Sequence, residues 1–166
     1  MRGGGEDWSS WFREYGPAML LFARQALPDL ATAEDAVQEA FVRFWKSRAS
    51  AEDVPAYLFA CVRNCVREIQ RGESRRLRRD QATARPELTE ALFDCPLERD
   101  ERRTLVEAGL LQLPCEQRDV LVLKIWGGLS FPQIAAALDI PANTAASRYR
   151  YALEKLRELL VEVTTP

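Results

Sequence analysis

Apolar residues recur along most of this chain at intervals of three and four, the spacing of an amphipathic helix, and no stretch alternates in the manner of a strand. Trp8, Trp11, Phe12, Tyr15, Met19, Phe22 and Ala23 predict a first helix over about residues 7–26, closed by Pro28. A second is expected to begin after a Thr32 cap, with Glu34 and Asp35 in its first turn where they suit the helix dipole, and to reach about Lys46. Its inward stripe is Ala36, Val37, Ala40, Phe41, Phe44 and Trp45. Asp53 reads as the cap of a third helix with Pro55 in its first turn, and Tyr57, Leu58, Cys61, Val62, Cys65, Val66 and Ile69 form its broad apolar face.

From Gly72 to about Pro96 the periodicity weakens and charged residues mix with short apolar clusters, which reads as a linker. Helical spacing resumes over about residues 97–112 and 114–126. After Gly127-Gly128 a short helix near 130–138 and a long one near 142–161 are expected. The predicted architecture is all-α: a three-helix module over residues 1–72, a linker over 73–96 and a second helical module over 97–166. At 166 residues the chain can bury one modest core or two small ones.

The segment from Leu129 to Arg150 has the form of a helix-turn-helix. Ser130 can cap its first helix with Pro132 in the first turn, Ala135 permits close helix approach, and Ile134 and Leu138 supply packing. Asp139-Ile140-Pro141 makes the turn, and Asn143 or Thr144 is expected to cap the second helix. That helix turns Ala145, Tyr149, Ala152, Leu153, Leu156 and Leu160 to one side. Asn143, Thr144, Ser147, Arg148, Arg150 and Tyr151 occupy much of the rest. Their amides, hydroxyls and guanidinium groups suit base edges and phosphates in a major groove.

Charge changes the picture only when it is placed along the chain. The net charge is −2, unpromising for a nucleic-acid binder, yet the charges are segregated. Seven arginines fall between Arg63 and Arg79 against Glu68 and Glu73 alone, and six acids between Glu87 and Glu101 face only Arg99. The four cysteines, Cys61, Cys65, Cys95 and Cys115, form no C-x-x-C pair, and histidine is absent. Metal ligation and general-base catalysis thereby lose their usual residue. Cys61 and Cys65 share a helix face, and buried packing is favoured over redox sensing there. No cofactor and no catalytic residue is expected. Gly3-Gly4-Gly5 has neither the preceding strand nor the following Lys-Ser or Lys-Thr of a phosphate loop. The apolar runs are too short to span a bilayer and the N-terminus lacks an apolar signal core, so a cytoplasmic, nucleoid-associated protein is expected.

At this point the chain resembles the extracytoplasmic-function group of bacterial RNA polymerase sigma factors, over almost its whole length. The segment from Ala33 to Lys46 is similar to the core of that family's region 2. The segment from Pro55 to Arg71, with its Arg63-Asn64 pair and trailing basic cluster, is similar to the helix that follows. Leu113 to Leu121 and Gly127 to Leu160 resemble region 4. The resemblance implies a non-enzymatic factor that directs core polymerase to promoters and assists strand opening. Asp35, Gln38, Glu39, Phe41 and Trp45 would face the clamp coiled coil of the polymerase's largest subunit. Arg63, Asn64, Arg67, Arg71, Arg75 and Arg76 would engage the −10 element. The helix-turn-helix set Asn143, Thr144, Ser147, Arg148, Arg150 and Tyr151 would read the −35 element. A free monomer held by an anti-sigma partner is the family's expectation. Departures from the family pattern are Ala146 where lysine is frequent, Asp139 where glycine is frequent, and Tyr57 where tryptophan is common. Two rival functions stay open: a sigma-like decoy that only occupies an anti-sigma protein, and a conventional helix-turn-helix regulator.

Overall fold

The computed structural model describes residues 8–47, 51–79, 106 and 108–164, with side chains through Val161. The linker acids from Glu87 to Glu101, Cys95, Gly3 to Gly5 and most of the helix expected over 97–112 lie outside the described residues. Six helices are named in chain order: α1 (Trp8–Arg24), α2 (Leu30–Ser47), α3 (Val54–Arg79), α4 (Cys115–Ile125), α5 (Phe131–Leu138) and α6 (Ala142–Thr164). A short helical turn at residues 108–111 precedes α4. Every regular element among the described residues is helical.

The helix starts follow local chemistry, with two corrections. Asp29, not Thr32, caps α2: its carboxylate accepts from the Thr32 amide at 2.7 Å and from the Thr32 hydroxyl at 2.9 Å. The aspartate therefore gains two partners where threonine would have had one. Asp53 caps α3 as expected, accepting from the Ala56 amide at 3.0 Å. Ser130 and Gln133 form a reciprocal capping box at the start of α5, at 3.3 Å and 2.8 Å. Asn143 and Thr144 do not cap α6. The helix begins at Ala142 with the Ala145 amide bonded to Pro141 O, and Asn143 O accepts instead from the Ser147 hydroxyl.

α3 runs unbroken through Gly72 to Arg79. Sequence periodicity could not show this, because every residue from Arg71 to Arg79 is exposed and a helix without a buried face leaves no apolar stripe. Asp139 closes α5 in the left-handed region at φ 55, ψ 54. There it takes the conformation for which glycine is the usual choice.

In the first module α2 packs against both α1 and α3. Met19, Phe22, Ala36, Val37, Ala40, Phe44, Leu58, Val62 and Val66 are buried between them. Trp11 and Phe44 meet edge-on at 5.1 Å between centroids, and Tyr57 lies 6.0 Å from Phe44 in a tilted arrangement. Trp45, assigned to the inward stripe, is 43% exposed, and Trp8 and Phe12 at the start of α1 are also exposed.

In the second module α4, α5 and α6 pack on one another. Leu110, Leu113, Leu121, Ala152 and Leu156 form a small cluster on one side. Leu153, placed on the inward side by its spacing, is exposed. The larger core does not stop at the module boundary. Val120, Val122, Leu123, Leu129, Ile134, Ala137 and Ala145 are buried in one continuous cluster with Phe22, Phe44, Phe59 and Val62. α3 lies against α5, and α1 against α4. Gly127 sits where a Cβ would meet Leu123 O at 2.6 Å and the Phe59 ring at 3.2 Å, so only glycine allows this approach.

Candidate nucleic-acid interface

The basic residues of α3 divide between two directions. Asn64, Arg67 and Arg71 line a groove of about 430 Å³ together with Lys46, Ser47 and Tyr57. Arg71 and Arg75 continue into a second groove of about 520 Å³ with Gln70, Ser74 and Arg78. The result is a cationic track along the exposed face of one helix, with one aromatic ring at its head. A strand's phosphates can follow the arginines, and a base can stack at Tyr57. Arg76 is exposed on the same stretch.

Arg63 points elsewhere. It is half-buried toward the second module, with only an Nη2 contact to Asn64 Oδ1 at 3.3 Å. Its Nε and Nη1 are buried without a hydrogen-bond partner. Desolvation, then repulsion from Arg67, lowers its proton affinity, and attraction from Asp139 and Asp119 opposes this.

Spacing alone did not single out Arg43 on α2. It forms a bidentate pair with Glu68 at 2.8 Å and bonds Glu39 at 2.8 Å, walling the first groove. The Glu68 carboxyl is held below its ordinary range by Arg43. The signal available in the sequence was the Glu39–Arg43 spacing of i, i+4; the partner on α3 was invisible there.

Asp35, Gln38, Glu39 and Trp45 are exposed on α2, and Phe41 is half-buried behind them. Gln38, Phe41 and Trp45 line an apolar groove of about 470 Å³ shared with Trp8, Phe12 and Val42. Glu39 lies apart from it, engaged by Arg43.

On the helix-turn-helix, Asn143, Ser147, Arg150 and Tyr151 are exposed and Thr144 is half-buried. The Arg150 guanidinium lies 5.0 Å from the Tyr151 ring centroid. Arg148 is already paired, at 2.8 Å, with Glu116 at the start of α4. Ala145 is fully buried, and Phe131 meets Tyr149 edge-on at 5.6 Å behind the exposed face.

Burial raises both α3 thiols, Cys65 to about 11, so neither is a thiolate near neutral pH. Among the described residues no cluster of cysteine, aspartate and glutamate is fit to hold a metal ion. No helix among them is long and apolar enough to cross a membrane.

Comparison with known families decides what this pair of modules is. Residues 11–79 match the family Sigma-70 region 2, and residues 103–156 match Sigma-70, region 4. The chain is 32% identical over 158 residues to the RNA polymerase sigma-E factor of Streptomyces coelicolor, covering 93% of this chain and 86% of that protein. It is 31% identical over 161 residues to the ECF RNA polymerase sigma factor SigL of Mycobacterium tuberculosis, covering 92% and 88%. This chain belongs to the extracytoplasmic-function sigma factors. Within that family its fold is similar to the sigma factor RpoE of Bartonella quintana, solved with the anti-sigma factor NepR. The TM-score is 0.71 at 24% identity, over 96% of this chain and 99% of that one. It is also similar to CnrH, solved in complex with the cytosolic domain of CnrY, at a TM-score of 0.64 and 22% identity over 98% and 92%. As a sigma factor the chain carries its region 2 on α1 to α3 and its region 4 on α4 to α6.

Proposed function

We propose that this sigma factor binds core RNA polymerase, brings it to promoters and assists strand opening, without catalysing a reaction itself. The observation that carries the reading is the cationic track of α3 ending at Tyr57 in the same chain as a capped helix-turn-helix. A helix-turn-helix regulator needs only the second feature, and a decoy needs neither basic surface.

In this reading residues 1–72 engage polymerase and the −10 element, residues 73–96 connect, and residues 97–166 read the −35 element. Asp35, Gln38, Phe41 and Trp45 meet the polymerase clamp beside the exposed aromatic groove of α1 and α2, with Glu39 next to them. Asn64, Arg67, Arg71, Arg75 and Arg76 hold the melted strand, whose phosphates supply most of the affinity. Asn143, Thr144, Ser147 and Arg150 face the major groove, with Tyr151 and Arg148 beside them. The chain is taken to act in the cytoplasm, at the nucleoid, as a monomer when free. An anti-sigma protein is its expected antagonist, consistent with the complexes in which its structural neighbours were solved.

The deciding experiment is run-off transcription from a promoter library with purified core polymerase. Transcripts should appear only with the protein, and should vanish with Arg71→Glu/Arg75→Glu or with Arg150→Glu. Core polymerase whose initiation sites do not change, while a control sigma factor works, would overturn the reading in favour of the decoy or the conventional regulator.

A further inference from the structure

The cationic track of α3 contains an acid. Glu68 is the one carboxylate among the described residues that lines either of the two grooves, where Lys46, Arg67, Arg71, Arg75 and Arg78 supply positive charge. It stands one turn before Arg71, at the i, i+3 spacing that brings opposite charges on a helix together, and Arg71 attracts it electrostatically. Left to its own helix, Glu68 would pair with Arg71 and take a phosphate-binding group out of the track.

Arg43 of α2 holds the carboxylate instead. Its Nη1 and Nη2 donate to the two oxygens of Glu68, each at 2.8 Å, and its Nε donates to Glu39 at 2.8 Å. The bond to Glu39 fixes the guanidinium plane so that its forked edge meets Glu68, the arrangement that makes arginine–carboxylate pairs strong and directional. Among the described residues no carboxylate is bonded to Arg71. Stability does not account for the pair. The Arg43 and Glu68 side chains are 38% and 53% exposed, and an ion pair in that setting contributes little to folding.

We infer that Arg43 is a positioning residue for strand capture: by holding Glu68 toward α2 it leaves Arg71 unpaired and the groove positive for phosphates. The inference rests on the proposed reading of α3 as the track for a melted strand. Arg43 need not touch that strand, because its effect passes through Glu68 to Arg71. Two simpler roles predict something else. A direct phosphate contact by Arg43 would be lost whether or not Glu68 is present, and a brace between α2 and α3 would be lost equally on removing either partner.

The test is binding of the full chain to a fluorescein-labelled single strand of about twelve deoxythymidines, which reports phosphate and stacking contacts without promoter sequence. Anisotropy is read over a series of salt concentrations, and circular dichroism verifies the fold of each variant. Arg43→Ala should bind about fivefold more weakly at about 0.1 M salt, with the slope of log affinity against log salt reduced in magnitude by about 0.7, the share of one single-strand phosphate. Adding Glu68→Gln to Arg43→Ala should restore both affinity and slope. Glu68→Gln alone should bind at least as tightly as the parent. Arg43→Gln, which keeps most of the side chain's packing, repeats the comparison should the alanine variant fold poorly. A defect that Glu68→Gln leaves in place, weaker binding by Glu68→Gln alone, or parental binding by Arg43→Ala overturns the inference. Absence of salt-dependent binding by the unsubstituted chain overturns the reading of α3 as a strand track, and the inference with it.

Discussion

Replacing Phe59 by alanine tests whether one core serves both modules. The ring is 1% exposed on α3, packs edge-on to Tyr15 with centroids 6.4 Å apart, and lies beside Gly127 of the second module. Deleting a ring buried this completely costs about 3–5 kcal/mol, because the transfer term and the cavity left behind add. Loss of the edge contact with Tyr15 accounts for about 0.5–1.5 kcal/mol of that. For a chain of this size the change lowers Tm by roughly 10 °C. Urea unfolding followed by far-ultraviolet circular dichroism gives the global transition. A chain keeping Trp126 as its only tryptophan, with Trp8, Trp11 and Trp45 replaced by phenylalanine, reports the second module alone. A shared core requires the Trp126 midpoint to fall together with the global one. A Trp126 transition left where it was, with only the α1 to α3 signal weakened, would refute the continuous core and return the molecule to two independent modules.

Three further outcomes are expected. Ser130→Ala removes one half of the capping box on α5 and should cost about 1 kcal/mol in urea denaturation, with a matching loss of −35 duplex binding only if the start of α5 frays. Gly128→Ala forces a Cβ into a residue at φ 67 with open space around it. Its cost is therefore backbone strain alone, about 1–2 kcal/mol, readable as a shift in Tm. Asp119, pushed up to about 6 mainly by burial, binds its proton more tightly folded than unfolded. Its burial cost is fully present above pH 6 and is relieved as pH falls from 6 toward 4, so its own contribution to stability rises on acidification. In Asp119→Asn that part of the pH dependence should disappear; urea midpoints at pH 7 and pH 5 for the two proteins check it, and an unchanged difference between them would contradict the assignment.

Much of the molecule was legible in the residues themselves. Helical spacing located α1 to α6, because amphipathic helices on a core leave an apolar stripe. The caps at Asp53 and Ser130 were readable because a capping side chain acts within three residues of its own position. Where two neighbouring groups competed for one local role, as Asp29 and Thr32 do at α2, the stronger acceptor prevailed and spacing could not rank them. The solvated end of α3 from Gly72 to Arg79 carried no stripe to follow.

The sequence by itself determined an all-α chain of two helical modules, a helix-turn-helix with a basic face, and a cluster of arginines at the end of the third helix. These follow from interactions between residues a few positions apart. Only the tertiary structure decided which way those arginines point. Arg67, Arg71 and Arg75 line open grooves while Arg63 turns toward the second module; Arg43 is spent on Glu68, and Arg148 on Glu116. It alone joined the two modules through Phe59, Gly127 and the Asp53–Gln133 hydrogen bond, contacts between residues some 70 to 80 positions apart. A helical period records that a face is buried, but not what buries it.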